Sequence, residues 1–274
     1  MKIQLLLLVL VALTTTRCRS LPKQKLAQAK LDKIECEVVN DSLRISFKNT
    51  SKGPVTIAAT AADADIQAQL AGDFPVPVDA GTAIQFAYPT DKSKDDIAVE
   101  FSAAMGNAER TVYKRAIALP FQTGKQHKII QGYKGRFSHT EAYSRYALDF
   151  DLQVGDTICA AAAGYVVGVI SGYSDGGKSK RWRDYANYIT LFHPDMNLFT
   201  QYVHLMPDGS FVEVDDYVEA GQVIGRSGQT GFTDVAHLHF NVLEAKEGGI
   251  QSTPITFEEG YQGSEMKRGD RVKR

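Results

Sequence analysis

The sequence predicts a mainly β protein: a small N-terminal β-sandwich followed by a C-terminal, mostly antiparallel β domain. Leu43, Ile45 and Phe47 alternate with Ser42, Arg44, Ser46 and Lys48. That is the period of a strand with one buried and one wet face. Further short runs of this kind recur at roughly ten-residue spacing, as in a small sandwich. No long amphipathic helix interrupts them.

The first 20 residues differ in kind. Lys2 precedes an unbroken apolar run from Leu5 to Leu13, followed by Thr14, Thr15 and Thr16. A basic start, a short apolar core and small residues after it read as a secretory signal peptide over residues 1–20, so the protein is expected to be exported, periplasmic or secreted. The run is too short to span a bilayer, which takes about 20 residues, and no later segment is apolar for long enough. Cys18 raises a lipoprotein alternative, but Arg17 stands where a lipidation signal takes a small residue.

Residues 21–120 read as the first domain. A short helix is expected from Gln24 to Lys33. Strands follow at Ser42–Lys48, at Val55–Ala58 after the turn signal Lys52-Gly53-Pro54, at Ile84–Tyr88, at Ile97–Phe101 and at Val112–Leu119. This half holds no histidine and no obvious site, and its expected role is that of a spacer or packing unit. From Pro120 to Gly135 the chain turns rich in Gly, Lys and Gln, which places the boundary there. The second domain, 121–260, carries strands at Gly164–Ile170, Tyr188–Phe192, Phe199–Leu205 and Gly221–Gly225; residues 261–274 are left as a tail.

Apolar residues make up 43% of the chain, enough for sizeable cores. A net charge of -1 gives no reason to expect nucleic acid or an anionic membrane as partner. Cys36 and Cys159 are expected in different domains, as small buried hydrophobes rather than a disulfide framework.

The histidines carry the functional argument. All six lie after residue 126. In His237-Leu238-His239 the imidazoles are two residues apart, so on a strand both face one side while Leu238 and Phe240 face the core. A catalytic zinc takes three protein ligands and keeps one position for water. His139, Asp149 and one of the His237/His239 pair supply that set. His204 and the other of the pair are then free to move protons or to stabilise an oxyanion. His127 competes with His139, and Asp151 with Asp149. His193 is expected to end a strand at a turn. The polar loop from Gly172 to Tyr185 either lines the groove, with Trp182 as a stacking residue, or is a solvated insertion.

Tyr202-Val203-His204-Leu205, a glycine-rich stretch (Val218-Glu219-Ala220-Gly221-Gln222-Val223-Ile224-Gly225, then Ser227-Gly228-Gln229-Thr230-Gly231) and His237-Leu238-His239-Phe240 follow in order. Together they resemble the core of the lysostaphin/LytM-type (M23) zinc metallopeptidases, from about Phe137 to Leu243. The resemblance implies a C-terminal M23-like domain binding Zn2+ through His139, Asp149 and His239, with His204 and His237 as the catalytic pair. It also implies a peptidoglycan peptide as substrate. Many members place three residues between the first histidine and the aspartate. Here nine intervene, as in the longer form of the motif that ends Tyr-Ala-x-Asp-Phe.

The alternative is a non-catalytic wall-binding or amidase-activating module on the same fold. Such relatives have lost ligands, whereas all five positions are filled here. A biotinyl or lipoyl carrier is disfavoured because no lysine is displayed at a hairpin tip between hydrophobic residues. Neither His-Glu-x-x-His nor Gly-x-Ser-x-Gly occurs, which disfavours other zinc peptidases and serine hydrolases.

Overall fold

The computed structural model describes residues 21–24, 33–93 and 96–274. The expected signal peptide with Cys18, and all but the ends of the expected helix from Gln24 to Lys33, lie outside the described residues.

The N-terminal strands form two antiparallel three-stranded sheets. One is ordered Glu35–Val38, Ser42–Lys48, Ala83–Pro89; the other is ordered Val76–Val78, Val55–Ala61, Val99–Met105. Leu43, Ile45 and Phe47 from the first share a hydrophobic cluster with Val55, Ile57 and Ala59 from the second. The alternation seen in the sequence therefore buries one face of each sheet, consistent with a small sandwich. A helix at Ala64–Leu70 stands where the sequence reading places no element. Asp63 caps it by accepting from the amides of Asp65 and Ile66, and Ile66 and Leu70 bury its inner face.

Val112–Leu119 does not form the expected strand. It is an extended connector with only an isolated bridge, Ile117 to Phe257. Ile117, Ala118 and Leu119 are fully buried, so its apolar character serves burial rather than a ladder.

The second half is built on a nine-stranded sheet whose ladders are all antiparallel. Its order is Tyr217–Val218, Gly164–Ile170, Tyr188–His193, Leu198–Val203, Leu238–Lys246, Leu148–Phe150, Gln126–Gln131, Arg271–Lys273, with Gly249–Ser252 also paired to Leu238–Lys246. Leu238, Phe240 and Val242 enter the main core. Their neighbours His239 and Asn241 therefore project to the opposite face. Register then places the site: His239 stands opposite Val203 on one side and Asp149 on the other. A smaller sheet of Leu205–Ser210, Val223–Ser227 and Thr157–Cys159 flanks the main one. Residues 261–274 are no loose tail: Arg271–Lys273 pairs with Gln126–Gln131, and Met266 and Val272 are core residues. Among the described residues Cys36, partly buried, and Cys159, buried, form no disulfide.

Candidate metal centre

Three side chains from three segments converge. Asp149 lies in the strand Leu148–Phe150, His239 in Leu238–Lys246, and His139 midway along the loop between Gln126–Gln131 and Leu148–Phe150. Asp149 Oδ1 lies 3.2 Å from His139 Nε2 and 2.8 Å from His239 Nδ1, and the two nitrogens are 3.2 Å apart. Four ligands about zinc at its usual bond lengths stand roughly 3.3 Å from one another. The three donor atoms thus already form, slightly compressed, one face of such a tetrahedron. His139 Nδ1–H donates to Gly132 O at 2.8 Å, which leaves Nε2 as the lone-pair nitrogen. Among the described residues this is the group of acids, histidines and cysteines able to hold a metal ion.

The two remaining site histidines sit beside it. His237 Nε2 is 3.7 Å from Asp149 Oδ1, and the His204 and His237 ring centres are 4.6 Å apart. His237 Nδ1–H donates to Val235 O at 3.0 Å and His204 Nδ1–H to Thr230 O at 2.6 Å. In the neutral form both imidazoles therefore keep an unprotonated Nε2. His204 interrupts the strand expected from Phe199 to Leu205. It has φ of +69°, a left-handed conformation rare for a residue with a side chain, which turns the chain and aims its ring.

Burial by itself would push Asp149 upward. The positive imidazoles of His139 and His237, with hydrogen bonds from His139 and His239, outweigh it and hold the carboxyl well below the usual carboxylate range. Burial also works against protonation of His139, but the Asp149 carboxylate beside it prevails and raises its pKa. His204 is held well below the ordinary histidine value, by burial first and then by repulsion from His237 and His239. Burial likewise lowers His239. An anionic carboxylate among imidazoles is a donor set that suits a divalent cation, whose binding would displace the protons held between Asp149 and the ligating nitrogens.

The competitors fall elsewhere. His127 is on a strand, bonds Asp151 O through Nδ1 at 3.0 Å and meets Phe121 edge-on. Asp151 is outside the converging group. His193 ends its strand as expected and is wholly buried; Ala163 O and Thr200 Oγ1 satisfy its two nitrogens, and burial pushes it down to about 4. Trp182 is no open stacking platform: it is 4% exposed, packed edge-on to Tyr185 and under Gly177. Its neighbours Arg183 and Asp184 line the groove that leads to His204 and His239, together with Tyr143, Tyr188 and Gln201. Tyr143 donates to Gln201 Oε1 at 2.9 Å, a pairing that no motif announced.

Residues 143–252 match the profile of Peptidase family M23. The match includes Asp149, His204, His237 and His239 and begins just after His139. Lysostaphin of Staphylococcus simulans is 37% identical over 113 residues, 41% of this chain and 21% of that protein. The glycyl-glycine endopeptidase ALE-1 of Staphylococcus capitis is 35% identical over 99 residues, 35% of this chain and 24% of its own. The chain thus spans about a fifth of the length of the lysostaphin it matches. The crystallised catalytic domain of the S. simulans lysostaphin is 29% identical, covering 47% of this chain and 87% of that one, with a TM-score of 0.33. Over residues 143–252 the chain is thus similar to peptidase family M23, the family of the lysostaphin/LytM-type peptidases.

Proposed function

We propose that this chain is an exported zinc metallopeptidase that hydrolyses peptide bonds in bacterial cell-wall peptidoglycan. The observation that carries the reading is the convergence of His139 Nε2, Asp149 Oδ1 and His239 Nδ1 within 3.2 Å of one another, flanked by two imidazoles with free Nε2 atoms. These three atoms are the proposed ligands. Bound there, zinc supplies a Lewis acid and lowers the pKa of its water to about 7. His237 is the proposed general base: in the neutral tautomer its lone-pair nitrogen is Nε2, close to Asp149, whose negative charge stabilises the imidazolium that forms. His204 orients the attacking water through its own Nε2. Once protonated, either imidazole can donate from that same atom to the developing oxyanion or to the departing amine.

The groove supports an extended peptide substrate, with Tyr143 and Gln201 offering polar edges beside the site. One relative is named a glycyl-glycine endopeptidase, so glycine bridges and D-Ala–diaminopimelate cross-links are the two substrates to compare. The complete set of five residues favours catalysis over the binding-module alternative. The test is a pair of variants assayed for zinc and for release of cleaved stem peptides. His239→Ala should lose zinc and activity together, whereas His204→Ala should keep zinc and lose activity; retained activity in either variant would overturn the assignment.

A further inference from the structure

We infer that Gln131 is a positioning residue for the metal centre: its amide donates to Asp149 and accepts from the backbone that carries His139, and so fixes two ligands against each other. The inference rests on the metal reading above. Gln131 Nε2 lies 2.9 Å from Asp149 Oδ2, the carboxylate oxygen turned away from the imidazoles, and 2.7 Å from Ser138 Oγ. Its Oε1 accepts from the amide of Phe137 at 3.2 Å. The chemistry dictates this orientation, since an ionised carboxylate only accepts and a backbone N–H only donates. One planar amide thus spans from Asp149 to the two residues immediately before His139. By occupying Oδ2, it leaves Oδ1 as the atom that faces His139 and His239.

Two features of the backbone serve this one side chain. The ladder between Gln126–Gln131 and Leu148–Phe150 slips between Ile129, which pairs with Phe150, and Gln131, which pairs with Asp149. The extra residue makes a bulge, and a bulge re-aims the side chain beside it. Gly135 lies over the amide: a Cβ there would come within 2.2 Å of Gln131 Cγ and 2.6 Å of its Cδ. A glycine at 135 is therefore the space in which the Gln131 side chain lies.

Partners that orient a metal ligand are typically worth 10–100-fold in metal affinity. The experiment compares the full chain with Gln131→Met, which keeps length and volume but neither donates nor accepts as an amide does. Zn2+ affinity is read by chelator competition, Co2+ geometry by visible absorption, and folding by far-ultraviolet circular dichroism. Gln131→Met should keep its secondary structure, bind Zn2+ about 10–100-fold more weakly and shift the Co2+ bands. Gly135→Ala, with Gln131 intact but displaced, should move both metal readouts in the same direction. Wild-type affinity and an unchanged Co2+ spectrum in Gln131→Met would overturn the inference while leaving the metal reading standing. If Gln131→Met does not fold, Gly135→Ala decides by the same readouts; if neither folds, the amide serves the fold and the inference is overturned. A wild-type chain that takes up neither metal would overturn the metal reading itself, and this inference with it.

Discussion

Gly228→Ala should damage catalysis while sparing metal binding. Gly228 forms an isolated bridge to His237 and packs on the backbone that follows His204. A Cβ at this position would lie 2.2 Å from Met206 N, 2.5 Å from Met206 Cα and 2.6 Å from Leu205 C. Ordinary contact begins near 3.4 Å, so the backbone on one side must move by more than an ångström. Overpacking of this kind destabilises by about 1–3 kcal/mol. The displaced segments carry His204 and His237, and a misplacement of about 1 Å in catalytic groups can lower the rate about 100-fold. The proposed ligands His139 and Asp149 sit on other segments, and His239 lies two residues beyond His237, inside the strand Leu238–Lys246. Urea unfolding, zinc content and peptidoglycan digestion, all on the same preparation, test this. Expected are about 2 kcal/mol of lost stability, near-wild-type zinc and about 100-fold slower turnover. Near-wild-type turnover would refute the claim that this glycine sets the spacing of the catalytic histidines.

Further expectations follow from the same structure. Because His193 is buried neutral, with its folded pKa near 4 against an ordinary 6.5, the unfolded chain binds the extra proton between those values. Its contribution is therefore fully present above pH 6.5 and is lost as the pH falls towards 4, by about 3 kcal/mol; His193→Gln should flatten that part of the stability–pH curve, read by urea unfolding at several pH values. Trp182→Ala removes the buried anchor of the segment that presents Arg183 and Asp184 to the groove. Steady-state kinetics on a soluble peptide should show KM rising more than kcat falls, with faster hydrogen exchange confined to residues 174–187. An unchanged KM would separate that segment from substrate binding.

The site was more legible in the sequence than its support. The two-residue spacing of His237 and His239 put both rings on one face, and the antiparallel register brings Asp149 to the same place. Periodicity located N-terminal strands because their buried faces alternate, as at Leu43, Ile45 and Phe47. It misread Val112–Leu119, whose apolar residues are buried by side-chain packing without a ladder. The helix at Ala64–Leu70 could have been found from the Asp63 cap and the four-residue spacing of Ile66 and Leu70. Nothing local marks the left-handed turn at His204 or the bulge before Gln131, because both arise from pairings with distant strands. Trp182 in a polar loop resembles an exposed platform, yet it is the packing centre of that loop.

The most direct test of the central claim is zinc content measured on the purified chain and on Asp149→Ala, alongside digestion of purified peptidoglycan. The metal reading predicts about one zinc per wild-type chain and its loss in the variant together with release of cleaved stem peptides. Cleavage of peptidoglycan by a chain carrying no zinc, or equal zinc in both proteins, would contradict it.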